Sequence, residues 1–148
     1  MNNSTVWIIM AFVAGSFLPI QAGLNAKMGK AIASPVYASL ISFIGGAVAL
    51  LLYVLVTRQS INFSDLKSAP SATWLAGVLG AFFVTVVIYA FPRIGPALTF
   101  GLVVAGQMVI SVVLDHANIL VAHPHPFNLY RLLGIVLIVA GVIIVRKF

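Results

Sequence analysis

Four polar side chains interrupt otherwise apolar stretches of this chain, and they are candidates for binding a polar solute: Gln21, Asn25, Tyr89 and Gln107. Gln21 and Asn25 are four residues apart, so in a helix they share one face. An amide surrounded by lipid needs a hydrogen-bonding partner, because lipid supplies none. Gln21 and Gln107 therefore either hold helices together through hydrogen bonds or line a central cavity and contact a substrate.

A carboxylate ends the fourth apolar stretch. Polar residues follow Gln107 in steps of four, through Ser111 to Asp115, and Asp115 is followed directly by His116. A charge in mid-membrane costs about 2.5–3.5 kcal/mol, and much less at the end of a span. Two interpretations stay open: a structural ion pair of Asp115 with Arg131 or His116, or a coupling or gating role for these three residues.

The chain offers little for catalysis or metal binding. It has no cysteine, and His123 and His125 form a His-Pro-His-Pro pattern without a carboxylate or cysteine at ligand spacing. No nucleophile–base set, phosphate-binding loop or pair of catalytic carboxylates is recognisable. The net charge of +6 comes from eight basic residues at span ends or in loops, where lipid headgroups are the expected partner. We expect no enzyme, cofactor, metal or nucleic-acid partner.

Five apolar stretches position these side chains, and each approaches the roughly 17–25 residues that cross a bilayer core. They are residues 6–24, 37–56, 74–91, 98–114 and 129–145. Hydrophobic residues make up 62% of the chain and charged ones 7%, against about 25% charged in soluble domains. Since these stretches do not alternate as barrel strands do, we predict an all-α integral membrane protein with a single transmembrane domain over residues 1–148.

The connections carry most of the charge. They are residues 25–35, 57–71, 92–96 and 115–128, and in the third of them Pro92 is expected to stop one helix and Pro96 to start the next. Five spans put three basic residues on the side of the N-terminus and five on the other side. This small difference favours a cytoplasmic C-terminus only weakly, so charge alone leaves both a fixed orientation and insertion in two orientations open.

Small residues recur inside the spans at spacings that let helices approach closely. The positions of most interest are Ser42, Gly45, Gly46, Gly134 and Gly141. They either pack helices within one subunit or form a subunit interface or moving seam.

Four blocks together resemble the YdcZ-like family, the small five-helix branch of the drug/metabolite transporter superfamily, related to EamA and small multidrug resistance transporters. They are GSFLPIQAGLNAKMG (15–29), SLISFIGG (39–46), GQMVISVVLDH (106–116) and RLLGIVLIVAG (131–141). One departure is Ala117-Asn118, where an aromatic residue followed by glycine is expected. The resemblance implies half a transporter: two oppositely inserted copies, or a copy with an oppositely oriented paralogue, give ten helices in an inverted repeat. It thereby favours dual topology and an antiparallel homodimer in the inner membrane.

The function we expect is a membrane transporter that moves a small polar or organic solute by alternating access. Gln21, Asn25, Tyr89 and Gln107 are the predicted substrate contacts. The chain has no Glu, so proton coupling would fall to Asp115 or His116, because neutral amides cannot shuttle protons.

Two alternatives from other classes remain. One is a small dual-topology ion channel, with a pore lined by Gln21, Asn25, Ser42 and Phe43. The other is an accessory membrane subunit without transport activity.

Overall fold

The computed structural model describes residues 3–122 and 125–148, and all of its regular elements there are helices. In chain order they are α1 (Asn3–Ala31), α2 (Pro35–Thr57), the short α3 (Phe63–Ser68), a 3₁₀-helix (Ser71–Trp74), α4 (Leu75–Ile94), α5 (Pro96–Ala117) and α6 (Leu129–Lys147). Five segments are long and apolar enough to cross a membrane. Four of them are α1, α2, α5 and α6, and the fifth is the continuous segment formed by the 3₁₀-helix and α4. The all-α prediction with five candidate spans is confirmed.

The first helix runs well past its predicted span. At 1.5 Å per residue, its 29 residues extend about 43 Å, which exceeds the roughly 30 Å of a bilayer core. Lys27 and Lys30 therefore lie on a continuing helix rather than in a loop. Only residues 32–34 separate α1 from α2, because Ser34 caps α2 by accepting the Tyr37 amide N–H at 3.3 Å and Pro35 fills the first helical position.

The two prolines near residue 94 act differently from each other. Pro96 begins α5 as predicted, and Gly95 turns the chain before it with a φ of 79°. Pro92, however, lies inside α4, which continues to Ile94. The prediction that Pro92 stops the helix was wrong. A proline removes one hydrogen bond to the preceding turn, and membrane helices tolerate that loss where neighbouring groups compensate.

The chain divides into two compact units, one ending at Pro92 and the other beginning at Arg93. The first unit contains α1, α2, α3 and nearly all of α4. Its buried apolar residues are Ala22, Ala38, Val87 and Ile88. The second unit is the α5–α6 pair. The single transmembrane domain over residues 1–148 stays a prediction.

Close approach between helices depends on glycine in both units. A Cβ built on Gly29 of α1 would lie 3.3 Å from Pro35 Cα and from the Ile88 side chain. A Cβ built on Gly101 of α5 would lie 2.9 Å from Cγ2 of Val142 on α6. Because lipid tails are as apolar as the helices, such backbone proximity and polar contacts, rather than a hydrophobic force, hold membrane helices together.

Candidate functional site

A groove of about 340 Å³ opens in the first unit, between α1, α2 and α4. Its lining consists of Gln21, Ser42, Phe43, Gly46, Ala47, Leu50 and Val84. The volume lies at the lower end of the range for small-molecule pockets, about 300–1,000 Å³. Most of the wall is apolar, and the polar groups come from one amide and one hydroxyl.

The groove lies beside the middle of α2 and α4. Gly46 is the central residue of α2, and Val84 lies at the centre of α4. The stretch of α2 from Ser42 to Leu50 extends about 12 Å at 1.5 Å per residue. In a bilayer core about 30 Å thick, helices that cross the membrane place this groove near the midplane.

Small side chains on α2 create the space. Gly46 and Ala47 carry little or no side chain, and a Cβ built on Gly46 would meet no other atom within 4 Å. A Cβ at position 46 would therefore fit without displacing the helices around it.

The Gln21 side chain is the distinctive chemical feature of this groove. Its amide lines the groove, and it forms no hydrogen bond with any residue in the described part of the chain. An uncharged amide offers two N–H donors and a carbonyl acceptor. In lipid such groups are costly unless something hydrogen-bonds to them, which makes an unpaired intramembrane amide a candidate ligand contact.

Asn25, one turn further along α1, is engaged with a neighbouring helix. Its Nδ2 donates to Ser42 Oγ at 3.1 Å, and the pair is partly buried. Ser42 thus both lines the groove and fixes α1 to α2. The structure separates the two amides that share a face: Asn25 holds the helices together, while Gln21 is left for the groove.

A second hydroxyl contact joins α4 to α2. Thr85 Oγ1 donates to Ser39 Oγ at 2.8 Å, and the buried Ser39 hydroxyl donates to the Pro35 carbonyl at 3.1 Å. Thr85 directly follows Val84, which lines the groove. Sequence reasoning passed over Thr85, because a single threonine in an apolar helix has no partner visible in the pattern.

The other two predicted substrate contacts are placed elsewhere. Tyr89 lies on α4 with 40% of its surface exposed and is not among the lining residues. Gln107 is an exposed residue of α5, in the second unit. Among the four predicted contacts, the groove includes Gln21 directly and Asn25 through its bond to Ser42. Roles for Tyr89 and Gln107 stay predictions.

A polar cluster closes the end of the second unit. Arg131 Nη1 lies 2.8 Å from Asp115 Oδ2, with 28% and 21% of the two side chains exposed, and it also donates to the His125 carbonyl at 2.9 Å. The Phe127 N–H donates to His116 Nδ1 at 3.5 Å. Asp115 therefore has the ion-pair partner that one interpretation assigned to it. His123 lies outside the described residues.

The Asp115–Arg131 pair is held by the start of α6. Asn128 caps that helix by accepting the Arg131 N–H at 2.9 Å, so Arg131 is fixed through its backbone as well as its side chain. The loop between α5 and α6 contacts Arg131 through the His125 carbonyl, which accepts a hydrogen bond from the Arg131 side chain. Together these contacts connect the end of α5, the loop and the beginning of α6.

Four of the five candidate packing residues have no close neighbour on another helix among the described residues. A Cβ on Gly45, Gly46, Gly134 or Gly141 would meet nothing within 4 Å, whereas Ser42 contacts Asn25. Both interpretations of these positions stay predictions. The closely packed glycines include Gly29 and Gly101, which were not among the predicted packing positions.

Comparisons with known proteins agree on one family. A family described as "Putative inner membrane exporter, YdcZ" matches residues 6–144. The inner membrane protein YdcZ of Escherichia coli (strain K12) is 25% identical over 150 residues, which covers 98% of this chain and 97% of that protein. No solved structure matches the chain.

Proposed function

Since the chain belongs to the YdcZ family of inner membrane exporters, we propose that it moves a small organic solute across the membrane by alternating access. It is a multi-pass inner membrane protein with five membrane-spanning helices. Exporter families are not a class of enzymes. The observation that carries the proposal is the groove beside the middle of α2 and α4, lined by a Gln21 amide that has no hydrogen-bond partner among the described residues.

The groove suits a binding site that is exposed to each side in turn. Transporter sites lie near the bilayer midplane, so that small movements of the surrounding helices open them to either side. Polar contacts that orient a solute are few and are surrounded by apolar walls, as in most small-molecule sites. Gln21 would provide the orienting contact. The Asn25–Ser42 and Ser39–Thr85 bonds keep α1, α2 and α4 around it.

Two copies inserted in opposite orientations form the working unit that we propose. A Cβ on Gly45 of α2, or on Gly134 or Gly141 of α6, would meet no other described atom within 4 Å, which suits contact with a second protomer. An antiparallel arrangement produces an inverted repeat around a midplane site. The weak charge difference across the membrane is compatible with both orientations.

Few side chains in this protein could couple transport to proton movement. Gln21 and Asn25 cannot exchange protons, and the chain contains no Glu. Asp115 is held by Arg131 at the end of the second unit. Within this proposal, Asp115, His116 and Arg131 act in gating.

Export by cells tests the carrier role. Cells that make wild type, Gly46→Leu or Gly15→Leu are compared for accumulation of a panel of small neutral, cationic and anionic organic inhibitors. We expect wild type to lower the accumulation of at least one compound. Gly46→Leu fills the groove and should reduce this export at least about tenfold, a factor that corresponds to roughly 1.4 kcal/mol.

The matched control is Gly15→Leu, since a Cβ at Gly15 also meets nothing within 4 Å but Gly15 is not part of the groove lining. It should export like wild type. Ion currents across planar bilayers that Gly46→Leu blocks would instead indicate a channel. If no compound distinguishes wild type from cells without the protein, the carrier proposal fails in favour of an accessory subunit.

Orientation is tested with a single cysteine appended after Phe148, because the chain has none of its own. With a membrane-impermeant maleimide, two coexisting orientations predict labelling of about half the protein in intact cells and of all of it after permeabilisation. Labelling of all or none in intact cells would contradict the antiparallel homodimer.

A further inference from the structure

The chemistry of the groove also restricts what it can bind. Resting on the function proposed above, we propose that the groove accepts an electrically neutral, mainly apolar solute that carries one amide-like or hydroxyl group. Cations and anions of the same size should be excluded.

The charge argument begins with the lining. Its seven residues are two polar uncharged side chains and five apolar ones, and none of them carries a charge. An ion that leaves water for a low-dielectric site costs many kcal/mol unless a counter-charge or several hydrogen bonds compensate. The described ion pair, Asp115–Arg131, lies in the other unit and is already satisfied by its own contacts. The groove therefore offers an ion no counter-charge of its own.

The hydrogen-bonding argument concerns the two polar groups. Gln21 offers both donors and an acceptor, and all of them are unused within the described chain. Ser42 Oγ already accepts from Asn25, which leaves its hydroxyl hydrogen for a ligand acceptor. A solute with a carbonyl and an N–H, or with a hydroxyl, can satisfy these groups in pairs. A pure hydrocarbon would leave them unpaired, which is unfavourable wherever the solute displaces water from them.

The apolar walls of the groove indicate that the remainder of the solute is apolar. Phe43, Leu50 and Val84 line the groove beside Gly46 and Ala47, whose small side chains leave room for a flat ring. Aromatic rings gain from contact with such surfaces through burial and, with Phe43, through ring–ring geometry. A single aromatic ring bearing one amide thus matches the walls and the polar end.

The test measures protection of a cysteine in the groove. Ala47→Cys introduces the chain's only thiol, and its reaction with N-ethylmaleimide is followed in nanodiscs with benzamide, benzylammonium or benzoate present. These probes share one ring and differ in charge. A bound ligand slows labelling by the factor 1 + [L]/Kd, so benzamide at about four times its Kd slows it about fivefold. We expect neither ion to protect at the same concentration.

Three further variants sharpen the result. Gly15→Cys reports a position outside the groove, and benzamide should leave its labelling rate unchanged. Adding Gln21→Leu to Ala47→Cys keeps the approximate volume but removes the amide, and benzamide protection should be lost. Adding Gln21→Glu instead introduces a carboxylate, and protection should shift from benzamide to benzylammonium.

Stronger protection by benzylammonium or benzoate than by benzamide with Gln21 intact would overturn the inference. So would equal protection by all three probes, or by none of them. The proposed function fails separately: protection by benzamide in a protein that exports nothing from the panel would leave a neutral binding site and remove the carrier role. Export of a charged compound that Gly46→Leu abolishes would keep the carrier and remove the neutral-solute class.

Discussion

The two units of the chain treat their polar side chains in opposite ways. In the first unit, the uncharged Gln21 amide lies in the groove beside the middle of α2 and α4, with no partner in the described chain. In the second, the charged Asp115 and Arg131 lie at helix ends and bind each other at 2.8 Å. Charges are costly in lipid, so they are placed at the ends and paired. A neutral amide can be left unpaired at the centre at lower cost, where it remains available to a solute.

This contrast implies that the Asp115–Arg131 pair contributes more to stability than Gln21 does, and that Gln21 contributes mainly to binding. The interhelical hydrogen bonds of the first unit should contribute less to stability than the ion pair and more than Gln21. Asn25–Ser42 and Thr85–Ser39 hold helices together beside the groove, and of these four residues Ser42 also lines it. The free energy of unfolding, measured in mixed detergent micelles, should rank these residues.

Arg131→Met has the largest expected effect. It leaves the Asp115 carboxylate without its partner and removes the bond to the His125 carbonyl. Since both side chains remain about a quarter exposed, we expect a loss of about 2–3 kcal/mol in the free energy of unfolding, below the 3–5 kcal/mol of fully buried pairs. The double variant with Asp115→Asn should recover part of that loss. A single Arg131→Met variant as stable as wild type would remove the contrast between the units.

Gly101→Ala comes next, and it tests packing in the second unit without touching its charges. The new Cβ would lie 2.9 Å from Val142 Cγ2, so α5 and α6 must separate slightly or Val142 must move. Overpacking of this kind costs about 1–3 kcal/mol. Gly134→Ala is the matched control on α6, where a Cβ meets nothing within 4 Å and the stability should be almost unchanged. Equal effects at the two glycines would contradict the close α5–α6 contact.

The smallest losses of stability are expected for substitutions of the two amides of α1. The test is which of the two substitutions lowers the free energy of unfolding more. Asn25→Leu loses the bond to Ser42 and should cost about 0.6 kcal/mol, the average for hydrogen bonds between membrane helices. Gln21→Leu loses no bond within the described chain and should change the free energy of unfolding by less than about 0.5 kcal/mol. A larger loss for Gln21→Leu than for Asn25→Leu would show that Gln21 is a structural residue.

Much of the candidate site could be predicted from the sequence, because polar residues are rare in membrane-spanning helices and are therefore easy to recognise. Gln21, Asn25 and Asp115 were recognisable since each lies within or directly after an apolar stretch. Arg131 was recognisable as a partner because it begins the next span. Thr85 and Gly101 were missed, since their importance depends on Ser39 and Val142, residues more than forty positions away in each case.

The sequence by itself determined that the protein is an all-α membrane protein with five candidate spans, and it also determined where α5 begins. The reason is local: each stretch must match the bilayer thickness and satisfy its own backbone hydrogen bonds, and Pro96 favours a helix start wherever the helix is placed. Only the tertiary structure decided that α4 continues through Pro92, that Asn25 bonds to Ser42 while Gln21 lines the groove, and that Gly101 rather than Gly141 is closely packed. These outcomes depend on how each helix is rotated against its neighbours, and that rotation is set by contacts between residues distant in the chain.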